Sequence, residues 1–327
     1  MKILGIESSC DETAASVIAD GNVLSNVIAA QAIHEQFGGV VPELASRAHH
    51  KTISATVQQA LDDAGCSVDD LDAIAVAQGP GLMVSLLVGL GFAKGLSLSY
   101  NVPLIGVNHI DAHMYANFIE HEEAYPFVAL IVSGGHTRLV HVTAPFEHII
   151  LGQTRDDAAG EAFDKIGKML GLPYPAGPEI DKHSQNGNPE FVDFPRAMIK
   201  EGLDFSFSGL KTSVLYYLQK QDEDFIEKNM ADICASVSAA ITDVLVTKLR
   251  RAVRKTGVKK MMLAGGVSAN SMLREKVNKM AKKEGVNLMI PAMEYCTDNG
   301  AMIAKTGELK YRLGLVDDLD LKPFASL

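Results

Sequence analysis

No tryptophan occurs in these 327 residues, and aromatic residues of all kinds make up only 6%. Cysteine is scarce as well. Cys10, Cys66, Cys234 and Cys296 form no C-x-x-C pair and show no framework spacing, which excludes a disulfide-stapled scaffold and suits a reducing compartment. No signal peptide is expected, because Met1-Lys2 leads into a short strand-like run that Glu7 breaks. The stretch 73–93 carries no charge and has the length of a membrane span. Gly79-Pro80-Gly81 interrupts it, so it reads as strand, turn and buried helix instead. A soluble cytoplasmic protein with no membrane partner is expected.

The length is enough for about two domains and a large core. Apolar residues at 47% and charged residues at 21% are ordinary globular usage. The 28 glycines fall in short clusters, as backbone devices do. A net charge of −10 argues against nucleic-acid binding, but the charge is uneven. Between Lys248 and Lys283 there are twelve Lys or Arg and one acid, Glu275. Two readings stand: solvated helix faces, or a basic surface for a polyanion or an acidic partner.

One layout occurs twice along the chain. Strands are predicted over 2–8, 14–19 and 23–29, the last two joined by Gly21-Asn22, and again over 127–132, 137–142 and 148–152, with Gly134-Gly135 at the first turn. A strand, a glycine turn and a helix follow in each half: 73–77, Gln78-Gly-Pro-Gly and 82–98, then 261–264, Gly265-Gly266 and 269–284. Further helices are predicted over 43–64, 155–170, 229–256 and 298–313. Residues 173–208, with scattered Pro, Gly and Asn, read as a long irregular insertion. This alternation points to α/β layers built on a structural duplication.

His109 and His113 are the most informative residues. Spaced by four, they share one face of a helix and can reach one cation. A third ligand must come from elsewhere, and Asp298 offers a carboxylate to complete a His-His-Asp set. The alternative is a pair of surface histidines, with Asp298 serving a helix start.

Ser133-Gly-Gly-His-Thr follows a buried strand and suits either a phosphate cradle or a plain hairpin turn. Ala264-Gly-Gly-Val-Ser-Ala-Asn joins a strand to a helix N-terminus, where anions bind readily; Ser268 and Asn270 either cap that helix or face a ligand. In Tyr174-Pro-Ala-Gly-Pro-Glu-Ile-Asp, Gly177 would let the chain pass flat against a ring and Asp181 would accept from a ribose, unless the segment is only a surface loop. The acids of residues 155–164 partly suit a helix start, but Asp164 lies too deep for that account. Asp11 and Glu12 lie in the first hairpin turn, where acids are commonplace.

These motifs together resemble one family, the tRNA adenosine threonylcarbamoyltransferases (once labelled O-sialoglycoprotein endopeptidases). The resemblance runs from Gly5-Ile-Glu-Ser-Ser-Cys-Asp-Glu-Thr through Val107-Asn-His-Ile-Asp-Ala-His, Leu130-Ile-Val-Ser-Gly-Gly-His-Thr, Phe205-Ser-Phe-Ser-Gly-Leu-Lys-Thr and Gly265-Gly-Val-Ser-Ala-Asn to Thr297-Asp-Asn-Gly-Ala-Met. Ile110-Asp111-Ala112 stands where the family more often has Met-Glu-Gly, which leaves the metal-binding atoms untouched. The resemblance implies the actin-like ATPase fold, with two duplicated subdomains around a nucleotide cleft. The expected division is 1–108, with a C-terminal helix over 300–327 packing back on it, and 109–299.

It further implies transfer of a threonylcarbamoyl group from threonylcarbamoyl-AMP to the exocyclic amine of adenosine at tRNA position 37, in tRNAs reading codons that begin with adenine. His109, His113 and Asp298 would hold one Fe2+ or Zn2+. Ile131, Val132, Ser133, Gly134, Gly135, Asp164, Gly177, Asp181 and Asn270 would bind the adenylate, and Asp11 and Glu12 are candidates for the proton acceptor. A TsaB-like paralogue and a TsaE-like ATPase would be partners.

A metalloprotease would need Glu directly after the first histidine, where this chain has Ile110. An actin-like small-molecule kinase would share the glycine turns but has no need of the His-His-Asp set. A non-catalytic scaffold is opposed by the intact histidines and glycine loops.

Overall fold

Both predicted three-strand starts form. In the computed structural model, which describes residues 1–31 and 39–325, the first is a meander of β1 (Lys2–Glu7), β2 (Glu12–Ala19) and β3 (Asn22–Ala30). Asp20 and Gly21 both take positive φ at the β2–β3 turn, the twist that two-residue hairpins favour. The second is β6 (Phe127–Val132), β7 (Thr137–Ala144) and β8 (Glu147–Gln153). β4 (Ala73–Gly79) and β5 (Leu104–Asn108) add in parallel beside β1, and β9 (Lys260–Ala264) and β10 (Asn287–Met289) add in parallel beside β6. The sheet orders are β3-β2-β1-β4-β5 and β10-β9-β6-β7-β8. Read from opposite edges they are the same sheet, so the duplication seen in the sequence is a duplication of topology.

The chain divides into two compact units, Met1–Glu123 with Pro291–Leu327, and Ala124–Ile290. These boundaries differ from the expected ones after residues 108 and 299. The helix α3 (His109–Tyr115) stays with the first unit because Ala112 and Ala116 pack with Met302 and Ile303 of α9 (Gly300–Arg312). In that unit α1 (Pro42–Asp63) and α2 (Met83–Tyr100) cover one face of the sheet through Ile53, Val57, Leu61, Leu90 and Ala93, while α9 covers the other. Leu4 and Ile6 of β1 belong to the first face and Ile3 to the second, so the strand is apolar at consecutive positions, as in a sheet covered on both sides. The helix expected over 300–327 ends at Arg312. Gly314 at φ +71° terminates it. Beyond it the chain runs along the sheet, with the Asp317 N–H donating to Leu104 O and the Phe324 N–H to Gln78 O.

In the second unit α4 (Ala159–Met169), α5 (Ala176–Ser184), α6 (Ser208–Leu218), α7 (Phe225–Thr256) and α8 (Ser271–Glu284) build one core with the sheet through Val128, Leu130, Phe163, Ile180, Ile241 and Leu245. The helix expected from residue 155 begins at Ala159. Asp156 is used elsewhere: it accepts from the Ser206 hydroxyl and from the Phe207 and Ser208 N–H groups at the start of α6. Burial opposes its charge, but these bonds outweigh burial and hold the carboxyl below its usual range. The insertion expected to be irregular over 173–208 contains α5. Most of its remainder is tied along α7 by Asn188 to Asp232, Val192 to Ser236 and Arg196 to Asp243.

α2 and α7 are both long and apolar enough to cross a membrane by length and composition alone. Packing accounts for α7, which is buried on every side from Ile233 to Thr242, as a core helix is; α2 is buried along the one face that carries Leu86, Leu90 and Ala93.

Much of the basic stretch is consumed internally. Lys248 is fully buried, with its ammonium donating to the carbonyls of Met198, Glu201 and Gly202, and Arg251 donates to Ile199, Glu201 and Gly202. Arg254 pairs with Glu284, Lys276 with Asp243 and Lys279 with Glu275, while Arg274 donates to Ser268 O. Half the cations of that stretch therefore hold the fold together, and neither sequence reading foresaw it.

Candidate metal centre and glycine turns

Asn108 ends β5 and caps α3, its side-chain oxygen accepting from the N–H groups of Ile110 and Asp111 at 2.9 and 3.2 Å. Such a cap stabilises a helix start by about 1 kcal/mol and here fixes where the two histidines fall. Asn299, not Asp298, caps α9, accepting from Met302 N–H at 2.9 Å. Asp298 is thereby left in the loop before the helix, with its side chain 20% exposed.

The three predicted ligands come together in the first unit. One donor atom from each of His109, His113 and Asp298 lies within 4.8 Å of the others. Asp298 Oδ1 is 3.6 Å from His109 Nε2 and 3.1 Å from His113 Nε2. Ligands bonded to one zinc-sized ion at about 2.0–2.2 Å in a tetrahedron sit about 3.3–3.6 Å apart; the 3.6 Å spacing matches, and the 3.1 Å spacing falls just short of that range.

His113 is 1% exposed, yet among the described residues neither ring nitrogen makes a hydrogen bond; the close approach of Nε2 to Asp298 is not aligned as one. A buried imidazole without partners is unfavourable unless something else binds it, and a metal would satisfy Nε2. Two imidazoles and a carboxylate are the donor set of a borderline divalent ion such as zinc or iron.

Glu7 was missed by the sequence reading. It ends β1 with no exposure, its Oε2 3.0 Å from His109 Nδ1 and its Oε1 accepting from Ser9 N–H at 2.5 Å. The signal was present as an acid closing an apolar buried strand, since a buried carboxylate must find partners. Burial alone would keep His109 neutral, but Asp298 and then Glu7 outweigh it and raise its pKa to about 9.

Asp11 lies in the β1–β2 connection, whereas Glu12, expected in the turn, is the first residue of β2 and pairs with Ala30. Burial, then the charges of Asp298 and Asp11, push the Glu12 carboxyl well above its usual range. The turn is braced from α1: buried His49 lies 3.0 Å from Cys10 O and 2.7 Å from the Thr13 hydroxyl.

The predicted adenylate residues all lie in the second unit. β6 and β9 are parallel neighbours, with Ile131 opposite Ala264, so their glycine turns emerge side by side at the carboxyl ends of the strands, where α/β sheets hold ligands. Gly265 sits at φ +83° and a Cβ there would lie 2.5 Å from Val132 O. A Cβ on Gly160, in the first turn of α4, would lie 2.5 Å from Ser133 O, so that helix start abuts the first glycine turn. Among the described residues the N–H groups of Gly134 and Gly135 donate no hydrogen bond.

Asp164 Oδ1 accepts from Ala176 N–H at the start of α5, which gives this deep acid a structural task. Gly177 lies inside α5 rather than in a turn, with Phe163 Cβ 4.0 Å from where its own would be. Asp181 Oδ1 accepts from the Ser271 N–H and hydroxyl, and Asn270 caps α8 through Leu273 N–H. The Ser268 hydroxyl is buried without a partner among the described residues.

Comparison with known proteins gives the chain's family and fold. A family model described as "TsaD: tRNA N6-adenosine threonylcarbamoyltransferase" matches residues 22–305. Proteins named tRNA N6-adenosine threonylcarbamoyltransferase from Salinibacter ruber and Christiangramia forsetii are 53% and 52% identical, covering 100% and 95% of this chain and 100% and 93% of their own. Among solved structures, HypF of T. kodakarensis aligns with a TM-score of 0.64 at 15% identity over 98% of this chain and 49% of its own. A ROK hexokinase from Thermus thermophilus aligns at 0.52 and 16% identity over 96% and 100%. At such identities the likeness is one of fold alone, and that fold is the actin-like ATPase fold.

Proposed function

Because the chain belongs to the tRNA N6-adenosine threonylcarbamoyltransferase family, we propose that it draws the threonylcarbamoyl group from threonylcarbamoyl-AMP and joins it to adenosine at tRNA position 37. The transferase activity on tRNA adenosine is that of the family. The observation that carries the finer reading is the convergence of His109, His113 and Asp298.

In this reaction the exocyclic amine nitrogen bonds to the carbamoyl carbon. The bond from that carbon to the phosphate oxygen breaks, AMP leaves, and the amine gives up a proton. His109, His113 and Asp298 would hold one Fe2+ or Zn2+, which would supply a Lewis acid for the threonyl part and the carbonyl. The Gly134 and Gly135 N–H groups receive the charge that develops on the departing phosphate; their lack of partners among the described residues supports this role. Asp181 spends one carboxylate oxygen on Ser271 and offers the other to a ribose hydroxyl. Asn270 caps α8 with its oxygen and offers its amide N–H groups. Gly177 leaves room for a ring near Phe163, and Asp164 fixes the start of α5 beside it. Ile131 and Val132 carry Ser133 to the turn as the last residues of β6. Asp11, in the β1–β2 connection, and Glu12, at the start of β2, are the proposed proton acceptors. An arylamine is a weak nucleophile, so orientation supplies much of the rate.

The proposed partners are tRNA, a TsaB-like paralogue and a TsaE-like ATPase, in the cytosol, where four free cysteines are at home. α2 supports a helical partner. Val84, Leu87 and Leu98 are exposed on one face, and a Cβ on Gly91 or Gly95 of that face would meet nothing within 4 Å.

Nucleoside mass spectrometry of tRNA incubated with threonylcarbamoyl-AMP, both partners and this protein tests the reading. Threonylcarbamoyladenosine is expected in the full mixture and is expected to disappear when this chain, the metal or the TsaB-like partner is left out. Unmodified tRNA from the full mixture, with the adenylate intact, would refute it.

A further inference from the structure

We infer that Glu7 is a positioning residue for the metal: it sets the tautomer of His109 so that Nε2 presents a lone pair toward His113 and Asp298. The inference rests on the metal reading given above. A carboxylate can only accept, so the 3.0 Å contact between Glu7 Oε2 and His109 Nδ1 puts a hydrogen on Nδ1. With that hydrogen fixed on Nδ1, Nε2 is the nitrogen left to give up its hydrogen to a metal, and it faces Asp298 Oδ1 at 3.6 Å. The Ser9 hydroxyl, 3.1 Å from the same Nδ1, is the weaker competitor because it is uncharged. Glu7 is held for the task. Its other oxygen accepts from Ser9 N–H, and it has no exposure to water that could compete for it. A ligating histidine whose second nitrogen is bound by a carboxylate binds metal more tightly and in one orientation.

A purely structural buried carboxylate would make the same contacts, so the test must separate the two. Glu7→Gln keeps the volume. Its amide oxygen can still accept from Ser9 N–H, but its NH2 then faces Nδ1 and donates to it, moving the ring hydrogen to Nε2. Glu7→Ala removes the constraint, and Ser9 or water can still accept from Nδ1–H. Tautomer control therefore predicts an inversion. Glu7→Ala is the less stable protein, yet Glu7→Gln is the poorer metal binder.

The experiment is a Zn2+ titration of the metal-stripped protein against a chromophoric chelator, with thermal unfolding of each metal-free variant. Wild type is expected to bind Zn2+, His113→Ala to lose it, Glu7→Gln to bind about 10- to 100-fold more weakly, and Glu7→Ala to lose less than Glu7→Gln while melting lower. If wild type and His113→Ala behave as stated but Glu7→Gln binds like wild type, or affinities simply follow melting temperatures, the role of Glu7 is overturned and the metal site stands. If wild type binds no Zn2+, or His113→Ala binds it equally well, the metal reading itself fails and the inference falls with it.

Discussion

In a His113→Ala variant, bound metal disappears and tRNA modification falls by more than about 100-fold, beyond the range expected for losing an outer partner of a metal ligand. Two terms set the accompanying stability change. Removing a buried ring leaves a cavity, which is unfavourable by roughly 2–4 kcal/mol for side chains of this size. The imidazole, however, is buried with neither nitrogen hydrogen-bonded among the described residues, and relieving that offsets about 1–3 kcal/mol. At the middle of both ranges the net cost is about 1 kcal/mol, so the metal-free protein is expected to melt about 2–4 °C lower. Metal analysis by mass spectrometry and thermal unfolding of the stripped protein check the two halves. A variant that keeps its metal, or that loses activity only because it unfolds, contradicts the account.

The second large effect comes from a residue without a side chain. A Cβ on Gly5 of β1 would stand 2.3 Å from Ala304 N and 2.4 Å from Gly300 O, both backbone atoms of α9. A Cβ on Gly300 would stand 2.4 Å from the carbonyl carbon of Ala15 in β2. Helix and sheet thus touch backbone to backbone, and rotamer changes cannot relieve a clash between them. Gly5→Ala is expected to lower stability by about 3 kcal/mol, the upper end of ordinary overpacking, and the melting temperature by about 6–12 °C. It should also weaken metal binding, because α9 must shift and Asp298 stands two residues before it. Gly91→Ala on the open face of α2 is the control. Beyond its chain neighbours and its own helix backbone nothing described lies within 4 Å of a Cβ there, and helix propensity favours Ala by up to about 1 kcal/mol. Equal melting temperatures for the two variants would rule out the backbone contact as a determinant of this unit.

The parts of this structure that were legible in the sequence are those set by local periodicity. Alternating strands with Gly21-Asn22 and Gly134-Gly135 between them needed only hairpin chemistry, and both sheets follow from it. His109 and His113 fell on one helix face because their spacing and the Asn108 cap act within a few residues. What was not legible depends on partners distant in the chain. Glu7 read as a strand breaker because its partner His109 lies 102 residues away. Asp156 read as a helix-start acid, but residues 206–208 recruit it. Lys248 read as part of a solvated helix face or a basic surface, whereas the carbonyls that bury it belong to a segment that looked irregular. Asp298 read as one of two things, a helix-start residue or a ligand, and the adjacent Asn299 took the capping task. The place of α3 in the first unit was not legible for the same reason, since α9 from the far end of the chain keeps it there.

Anomalous diffraction from crystals of the metal-loaded protein, recorded on both sides of the metal absorption edge, tests the central claim most directly. The account predicts one peak bonded at about 2.0–2.2 Å to a ring nitrogen of His109, a ring nitrogen of His113 and a carboxylate oxygen of Asp298. A peak held by other side chains, or none in fully active protein, would contradict it.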